Sequence, residues 1–501
     1  MTDSPVNHLL ERTLIINKND KEAVYIQIAQ QIVHAIQLGS LQTGDRLPGT
    51  RVLSKILHIH RNTAVKIYEE LALQGWIIIT PNKGTFVNNS ETKTARIPTL
   101  QSLPSYNYPT KTNFNFYENT IVSSPYEKNT TLYTLNDGQP DIRLFEKNNY
   151  KRWYTEALRK TSVLNKWDEM LNDSNSFFTT QLTNYLNITR KIYIGTKNVL
   201  ATRNTEMSLY LITKVLVKPK DVILVGSISN FSANMIFQQA GAQIKTIPVQ
   251  SDGLDIDFIR KNFTKNKIKA VYCNTQRHYP TTQSLSIEKR LALLKLAKEF
   301  NFAIIEDDFD FDLQFHNYSL PPLISNDVAG NVIYLGHLGK IVFPALETGF
   351  MVAPENFINE AWNYLKMIDR QRDFVKEQVI GEMILEGEVH RHLKKLRLTY
   401  KKRLDLFTTA LSIAFKDIIN IEIPKGGLAV FITFNEAINL LEFKKALQKE
   451  EVTLPHHLLY QNKDICGIRL GFGHLNEEEI KIIVPKLKEA YLQVKQKKLV
   501  E

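Results

Sequence analysis

GSLQTGDRLPGTRVLSKILHIHRNTAVKIYEELALQGWIIITPNKGTFV, residues 39–87, carries two helix signals parted by a tight turn, then a hairpin. The first helix follows Leu47-Pro48 and runs from Arg51 through Ile56, and the turn falls on His58-Ile59-His60. The next begins Arg61-Asn62-Thr63-Ala64 and reaches about Gln74. A further amphipathic helix precedes both, from Tyr25 to Leu38, stopping at Gly39. Downstream, Gly75 to Thr80 turns at Pro81-Asn82-Lys83-Gly84 and returns through Thr85-Phe86-Val87. Helix, short turn, helix is the unit that sets its second helix in the DNA major groove, N-terminal side chains toward the base edges. Arg61 suits guanine, Asn62 suits adenine, and Thr63 suits a phosphate oxygen. The hairpin is then a wing whose tip, Lys83 and Gly84, lies along phosphates. With Arg51, these six residues are the candidate DNA contacts.

Outside this stretch the chain is that of a protein that folds by burial. Its 501 residues are 43% hydrophobic and 23% charged, too long for one compact domain. A net charge of +11 and a pI near 9.2 suit a polyanionic partner, weakly at this length. Cys273 and Cys466 stand alone in strand-like runs, which excludes a disulfide framework and a four-cysteine zinc site and fits a reducing, cytoplasmic setting. His456-His457 lacks a plausible ligand set, so no metal is expected. No basic-then-apolar leader opens the chain and no apolar run reaches ~20 residues, so neither a signal peptide nor a membrane span is expected.

Three zones differ in texture. After the helical zone, residues from about 89 to 130, rich in Ser, Thr, Asn, Tyr and Pro (Pro98, Pro104, Pro109), read as a linker and irregular lead-in. Beyond it apolar strands alternate with amphipathic helices: Asp221 to Val225, Gln243 to Val249, Ile268 to Asn274, Phe302 to Glu306 and Val332 to Leu335. Continuous runs such as Ala303-Ile304-Ile305 predict parallel strands buried on both faces, and Ser286 to Phe300 predicts a crossover helix. A smaller terminal subdomain is expected after about Leu396, with Asn476 and Glu479 spaced as a capping box. The domains expected are 14–88, 89–130 and 131–495.

The N-terminal residues resemble the GntR family of bacterial regulators: Tyr25, Gly39, Leu41, Gly44, Leu47, Pro48, Arg51, Arg61, Asn62, Thr63, Tyr68, Leu71, Gly75 and Gly84 to Val87 match its pattern in order. His60 stands where that family usually places a Ser cap. In the large domain, Gly138-Gln139-Pro140-Asp141-Ile142-Arg143-Leu144-Phe145, Ile304 to Asp310 and Tyr334 to Lys340 resemble the MocR subfamily, a GntR head fused to an aminotransferase-like domain. The fold class implied is multidomain: a small α+β winged helix-turn-helix plus a large α/β domain like the fold-type I transferases that use pyridoxal 5'-phosphate.

The resemblance implies that Asp307 pairs with the pyridine nitrogen of that cofactor, that Lys340 carries its aldimine, and that Arg469 takes a ligand carboxylate. Several positions depart from its pattern. The Ser-Gly of the phosphate cup falls on Arg203-Asn204, its following Gln on Glu206, and the phosphate-binding Arg after the lysine on Glu347. The hydroxyl-binding Tyr reads Phe309, the stacking aromatic aligns with Asn230 beside Phe231, and Thr282 replaces a Gly. Like charges at ~4 Å repel by about 4 kcal/mol at an effective dielectric near 20, so two carboxylates oppose a phosphate unless Arg203 compensates.

The leading expectation is a regulator that binds a double-stranded operator as a homodimer and senses a small amine or amino acid, with no catalytic residue assigned. Two readings stay open beside it. One is a working aminotransferase with a DNA-binding appendage, which Glu206, Glu347 and Phe309 oppose. The other is a cofactor-free scaffold in which Lys340 is a remnant.

Overall fold

The computed structural model describes residues 5–17, 22–81, 83–88, 109–119, 121, 131–159, 176–316, 320–340, 347–370 and 372–500. Asn82 of the wing turn and most of the expected linker, Pro98 and Pro104 included, lie outside the described residues. The chain divides into two compact units, residues 1–117 and 118–501.

In the first unit α1 (Pro5–Thr13) precedes α2 (Val24–Gln37), β1 (Arg46–Leu47), α3 (Thr50–Ile56), α4 (Arg61–Leu73), β2 (Ile77–Thr80) and β3 (Gly84–Val87). Apolar spacing turns Ile28 and Ile32 of α2, Leu53 of α3, and Ile67 and Leu71 of α4 into one core with Leu47, Ile77 and Val87. Gly39 ends the α2 region at φ +74, a left-handed position that costs glycine little. The strands order β1-β3-β2, all antiparallel, with Ile79 facing Thr85 and Thr80 facing Gly84 across the wing.

His60 does cap α4: its Nδ1 accepts from the Asn62 N–H at 3.3 Å, so the recognition helix starts at Arg61. Tyr68 ties that helix to the preceding turn, its buried hydroxyl donating to the Pro48 carbonyl at 2.5 Å. Tyr68→Phe strands that carbonyl, so hydrogen exchange of the α4 amides is expected to report a loss of about 1–3 kcal/mol; unchanged protection would mean that the bond is dispensable.

The second unit is built on a seven-stranded sheet: β5 (Val199–Thr202), β6 (Val222–Gly226), β7 (Gln243–Ile247), β10 (Ala270–Cys273), β11 (Ala303–Asp308), β12 (Val332–His337) and β13 (Gly349–Val352). Two short strands, β8 (Val249–Gln250) and β9 (Gly253–Leu254), form a hairpin beside it, and β4 (Tyr133–Thr134) precedes it in the chain. The order is β5-β13-β12-β11-β10-β6-β7. The five predicted strands are parallel as expected, but the sheet is mixed, because β13 runs antiparallel to both β12 and β5.

The helices of this unit are α5 (Lys147–Arg159), α6 (Phe177–Arg190), α7 (Thr205–Leu216), α8 (Phe231–Gln239), α9 (Ile256–Asn262) and α10 (Ile287–Phe300), then α11 (Glu355–Ile368), α12 (Phe374–Leu385) and α13 (Glu388–Ala414). One core joins α7, α8 and α11 to the sheet and another joins α9 and α10 to it, so the strands are buried on both faces except the edge strand β7, which is mostly exposed. Past α13, the strands β14 (Ile419–Ile421), β15 (Ala429–Phe434), β17 (Leu459–Gln461) and β18 (Cys466–Gly471) pair antiparallel in the order β14-β15-β18-β17. They pack with α14 (Leu440–Lys449) and α15 (Glu477–Val500). β16 (Val452–Thr453) pairs with β4, tying the first residues of the expected 131–495 domain to this terminal layer. The predicted capping box opens α15, with Asn476 N donating to Glu479 at 2.7 Å and Glu479 N to Asn476 at 2.8 Å.

Candidate functional site

The head presents a surface suited to phosphate and base edges. Arg51 in the first turn of α3, Arg61 and Asn62 in the first turn of α4, and Lys83 at the wing are exposed, and Thr63 is half-buried. Neither α3 nor α4 has an acidic residue in its first turn, and the N-terminus of the thirteen-residue α4 carries no carboxylate to oppose an anion. Between residues 24 and 87 six Lys and Arg stand against three Asp and Glu. Gly84 sits at φ +126, and a Cβ there would meet the Arg46 side chain at 3.0 Å. The exposed Arg46 is therefore part of the wing, a basic residue that the motif match passed over.

A second site lies beyond the C-terminal ends of the parallel strands, where an open α/β sheet places its ligands. It is a crevice of about 470 Å³ with α7 and α8 opening onto it. Asn204 caps α7 and Asn230 caps α8, each through its side-chain oxygen. The aromatic lining therefore falls on Phe231, with Phe309 and Tyr279, and Asn230 serves as the cap.

Asp307, at the end of β11, is 2% exposed. Its Oδ2 accepts from the Tyr272 hydroxyl at 2.5 Å, while its Oδ1 is buried without a partner. Burial raises its pKa to about 6; the Tyr272 bond opposes this and Glu206 adds to it. Lys340 follows β12, and its ammonium lies 4.8 Å from the Phe309 ring centroid. Burial pulls its pKa down, against Asp310 and Asp137, which favour the charge. Lys340 does not close onto Asp307, whose free oxygen stays vacant.

Arg469 enters from β18 and is buried, not the surface arginine that its strand position usually gives. It donates to Asp137 at 2.5 Å and to the Pro280 carbonyl at 3.0 Å, beneath the Tyr279 ring. Arg203 is placed elsewhere. Its guanidinium holds Asp369 by two bonds of 2.7 Å, and it does not line the crevice. The ion pair with Asp369, just past α11, satisfies it, so it does not compensate the carboxylates at the α7 end.

Those carboxylates are Glu206, in the first turn of α7, and Glu347, both lining the crevice. Burial first and Glu206 second raise the Glu347 pKa, and Lys340 and Lys376 oppose the rise. The Lys376 ammonium bonds the Glu347 backbone carbonyl at 2.9 Å. A pyridoxal phosphate ring would thus find a partner for its nitrogen in Asp307 and an amine in Lys340. The phosphate would meet two carboxylates, and Phe309 has no hydroxyl to offer. The residues present do not fit the phosphorylated cofactor.

His457 tilts against Phe231 with ring centroids 5.3 Å apart, and among the described residues no cluster of His, Cys, Asp or Glu could hold a metal ion. Among the same residues no helix is long and apolar enough to cross a membrane.

Comparison with known proteins agrees with both halves. Residues 24–87 match the bacterial regulatory proteins of the gntR family, and residues 156–487 match aminotransferase class I and II. The HTH-type transcriptional regulator YdfD of Bacillus subtilis is 26% identical over 92% of this chain and 95% of its own. The probable rhizopine catabolism regulatory protein MocR of Rhizobium meliloti is 21% identical over 96% of each. The fold of the second unit matches the multiple substrate aminotransferase of Thermococcus profundus at a TM-score of 0.64 and 22% identity, covering 74% of this chain and 93% of that one.

Proposed function

Since the chain belongs to the aminotransferase class I and II family and carries a gntR-family head, which makes it a transcriptional regulator of the GntR/MocR type, we propose that it is a ligand-sensing repressor or activator and not a transaminase. It acts in the cytoplasm as a homodimer on a double-stranded operator. The head is taken as 14–88, the linker as 89–130 and the sensing domain as 131–495. Arg61 and Asn62 read bases, while Arg51, Thr63, Lys83 and the Gly84 turn hold phosphates. Two heads per dimer supply the avidity that one small module lacks.

The observation that carries the sensing half is the crevice itself: a small cavity beside the sheet ends, with a vacant buried carboxylate oxygen and an altered α7 end. A family that normally binds pyridoxal phosphate here keeps the cavity and loses the phosphate's partners. Glu206 and Glu347 cost a phosphate about 4 kcal/mol per close pair, two to three decades of affinity each. Asp307 and Lys340 remain as polar contacts for an amine or amino acid, and Arg469 for its carboxylate.

Fluorescence anisotropy against operator DNA tests the DNA half. Arg61→Ala and Asn62→Ala are each expected to lose about 1–3 kcal/mol and relax base preference, and Lys83→Ala to lower the salt slope by about 1. Equal binding by all three would remove the interface. Sustained turnover of an amino acid with pyridoxal phosphate would instead favour the enzyme.

A further inference from the structure

We infer that the α7 end of the crevice, between Glu206 and Glu347, receives the primary ammonium group of a small aliphatic amine, which occupies the place of a cofactor phosphate. The inference rests on the crevice being the sensing site. Among the described residues four acidic side chains line it, Asp137, Glu206, Asp307 and Glu347, against two cations, Lys340 and Arg469. Arg469 is held by Asp137 and the Pro280 carbonyl, Arg203 by Asp369, and Arg277 by Asp310. Lys376 bonds the Glu347 backbone carbonyl and makes no hydrogen bond to its carboxylate, whose charge it offsets only in part. Among the described residues lining the crevice, Lys340 is the cation whose ammonium rests on a ring face and not on a carboxylate.

The vacant Asp307 Oδ1 is the independent sign of a ligand. It is an acceptor on a side chain 2% exposed, lining the same cavity, with nothing to accept from. A buried acceptor without a donor is costly, and an N–H group removes the cost. The N-terminus of α7 attracts an anion, but Glu206 in its first turn already supplies one of the protein's own. A second anion would be repelled, whereas an ammonium between Glu206 and Glu347 would relieve their mutual repulsion. Phe231, Phe309 and Tyr279 supply aromatic faces for the alkyl chain and the charge. A cavity of about 470 Å³ is of a size for a small molecule.

Titration calorimetry on the full-length protein tests this with 1,4-diaminobutane, 1,5-diaminopentane, L-lysine, inorganic phosphate and pyridoxal phosphate as probes. A diamine or L-lysine is expected to saturate the wild type and phosphate not to. Glu206→Gln and Glu347→Gln are each expected to weaken that amine roughly tenfold or more, since each removes a charged partner. Glu347→Arg should abolish amine binding and confer a pyridoxal phosphate absorbance band that the wild type lacks. Arg469→Gln separates the sources: it weakens an amino acid, whose carboxylate it would hold, and spares a diamine. Melting temperature and operator binding of each variant confirm that it is folded. Unaltered amine affinity in both Gln variants, tighter binding of pyridoxal phosphate than of any amine by the wild type, or no amine binding by a protein that still binds its operator would overturn the inference. Failure of the wild type to bind DNA strikes the regulator reading instead, because the amine titration is read without DNA.

Discussion

Asp312→Ala is expected to lower the stability of the large unit by about 3–5 kcal/mol, the usual cost of stranding one member of a buried ion pair. Arg190, 1% exposed at the end of α6, donates to Asp312 Oδ1 at 2.7 Å and to Oδ2 at 2.5 Å. Tyr185 adds a third bond to the same carboxylate at 2.6 Å. The guanidinium also lies 4.5 Å from the Phe311 ring centroid and bonds the Thr189 hydroxyl at 2.8 Å, so without Asp312 it is a buried charge left with neutral partners only. Burial alone would raise the Asp312 pKa; Arg190 more than reverses this and holds it low. Chemical denaturation should show the midpoint falling for Asp312→Ala and largely recovering in the Arg190→Met, Asp312→Leu double variant. A single variant within 1 kcal/mol of wild type would show that the pair is not a structural linchpin.

Asp307→Asn is expected to do the opposite and stabilise the ligand-free protein by about 3 kcal/mol at pH 8. The buried carboxyl has its pKa raised to about 6 from the ordinary 3.8 by burial first. The folded state therefore holds this proton more tightly than the unfolded chain. Stability from this group is full below pH ~4 and is lost as pH rises through 6, where the folded protein must ionise a buried acid. Asn has no proton to lose and can still accept from Tyr272, so the gain should be absent at pH 4 and complete at pH 8. Melting curves of both proteins across that range decide it, and equal curves at pH 8 would contradict the burial of an uncompensated charge. The same substitution should weaken the amine, which would explain why the chain bears the cost.

Much of this architecture follows from local sequence, and the parts that do not have physical reasons. The recognition helix starts where Arg61-Asn62-Thr63 places it, but the fitness of His60 as a cap depended on a ring nitrogen reaching the Asn62 amide. Four of the five parallel strands, β6, β10, β11 and β12, carry continuous apolar runs and are buried, whereas the edge strand β7, Gln243–Ile247, alternates and is mostly exposed. β5 and β13 are not among the strands read from the sequence, and their pairing, Phe350 with Ala201 and Met351 with Leu200, is a tertiary fact. The antiparallel direction of β13 is likewise something that composition does not record.

At the crevice, the identity of Glu206 and Glu347 was plain from the pattern, but the fate of Arg203 was not. Residues adjacent in sequence part company here: Asn204 turns in to cap α7 while Arg203 pairs with Asp369, 166 positions away. The vacant oxygen of Asp307 is likewise a tertiary fact, since Tyr272 on the neighbouring strand takes one oxygen and nothing takes the other.

Selection of double-stranded DNA from a random pool by the purified full-length protein tests the central claim most directly. The account predicts enrichment of one sequence with repeated or palindromic half-sites, bound on the order of 1,000-fold more tightly than unselected DNA. Arg61→Ala should lose this preference while keeping its fold. A pool that enriches for nothing, or a preference untouched by Arg61→Ala, would contradict it.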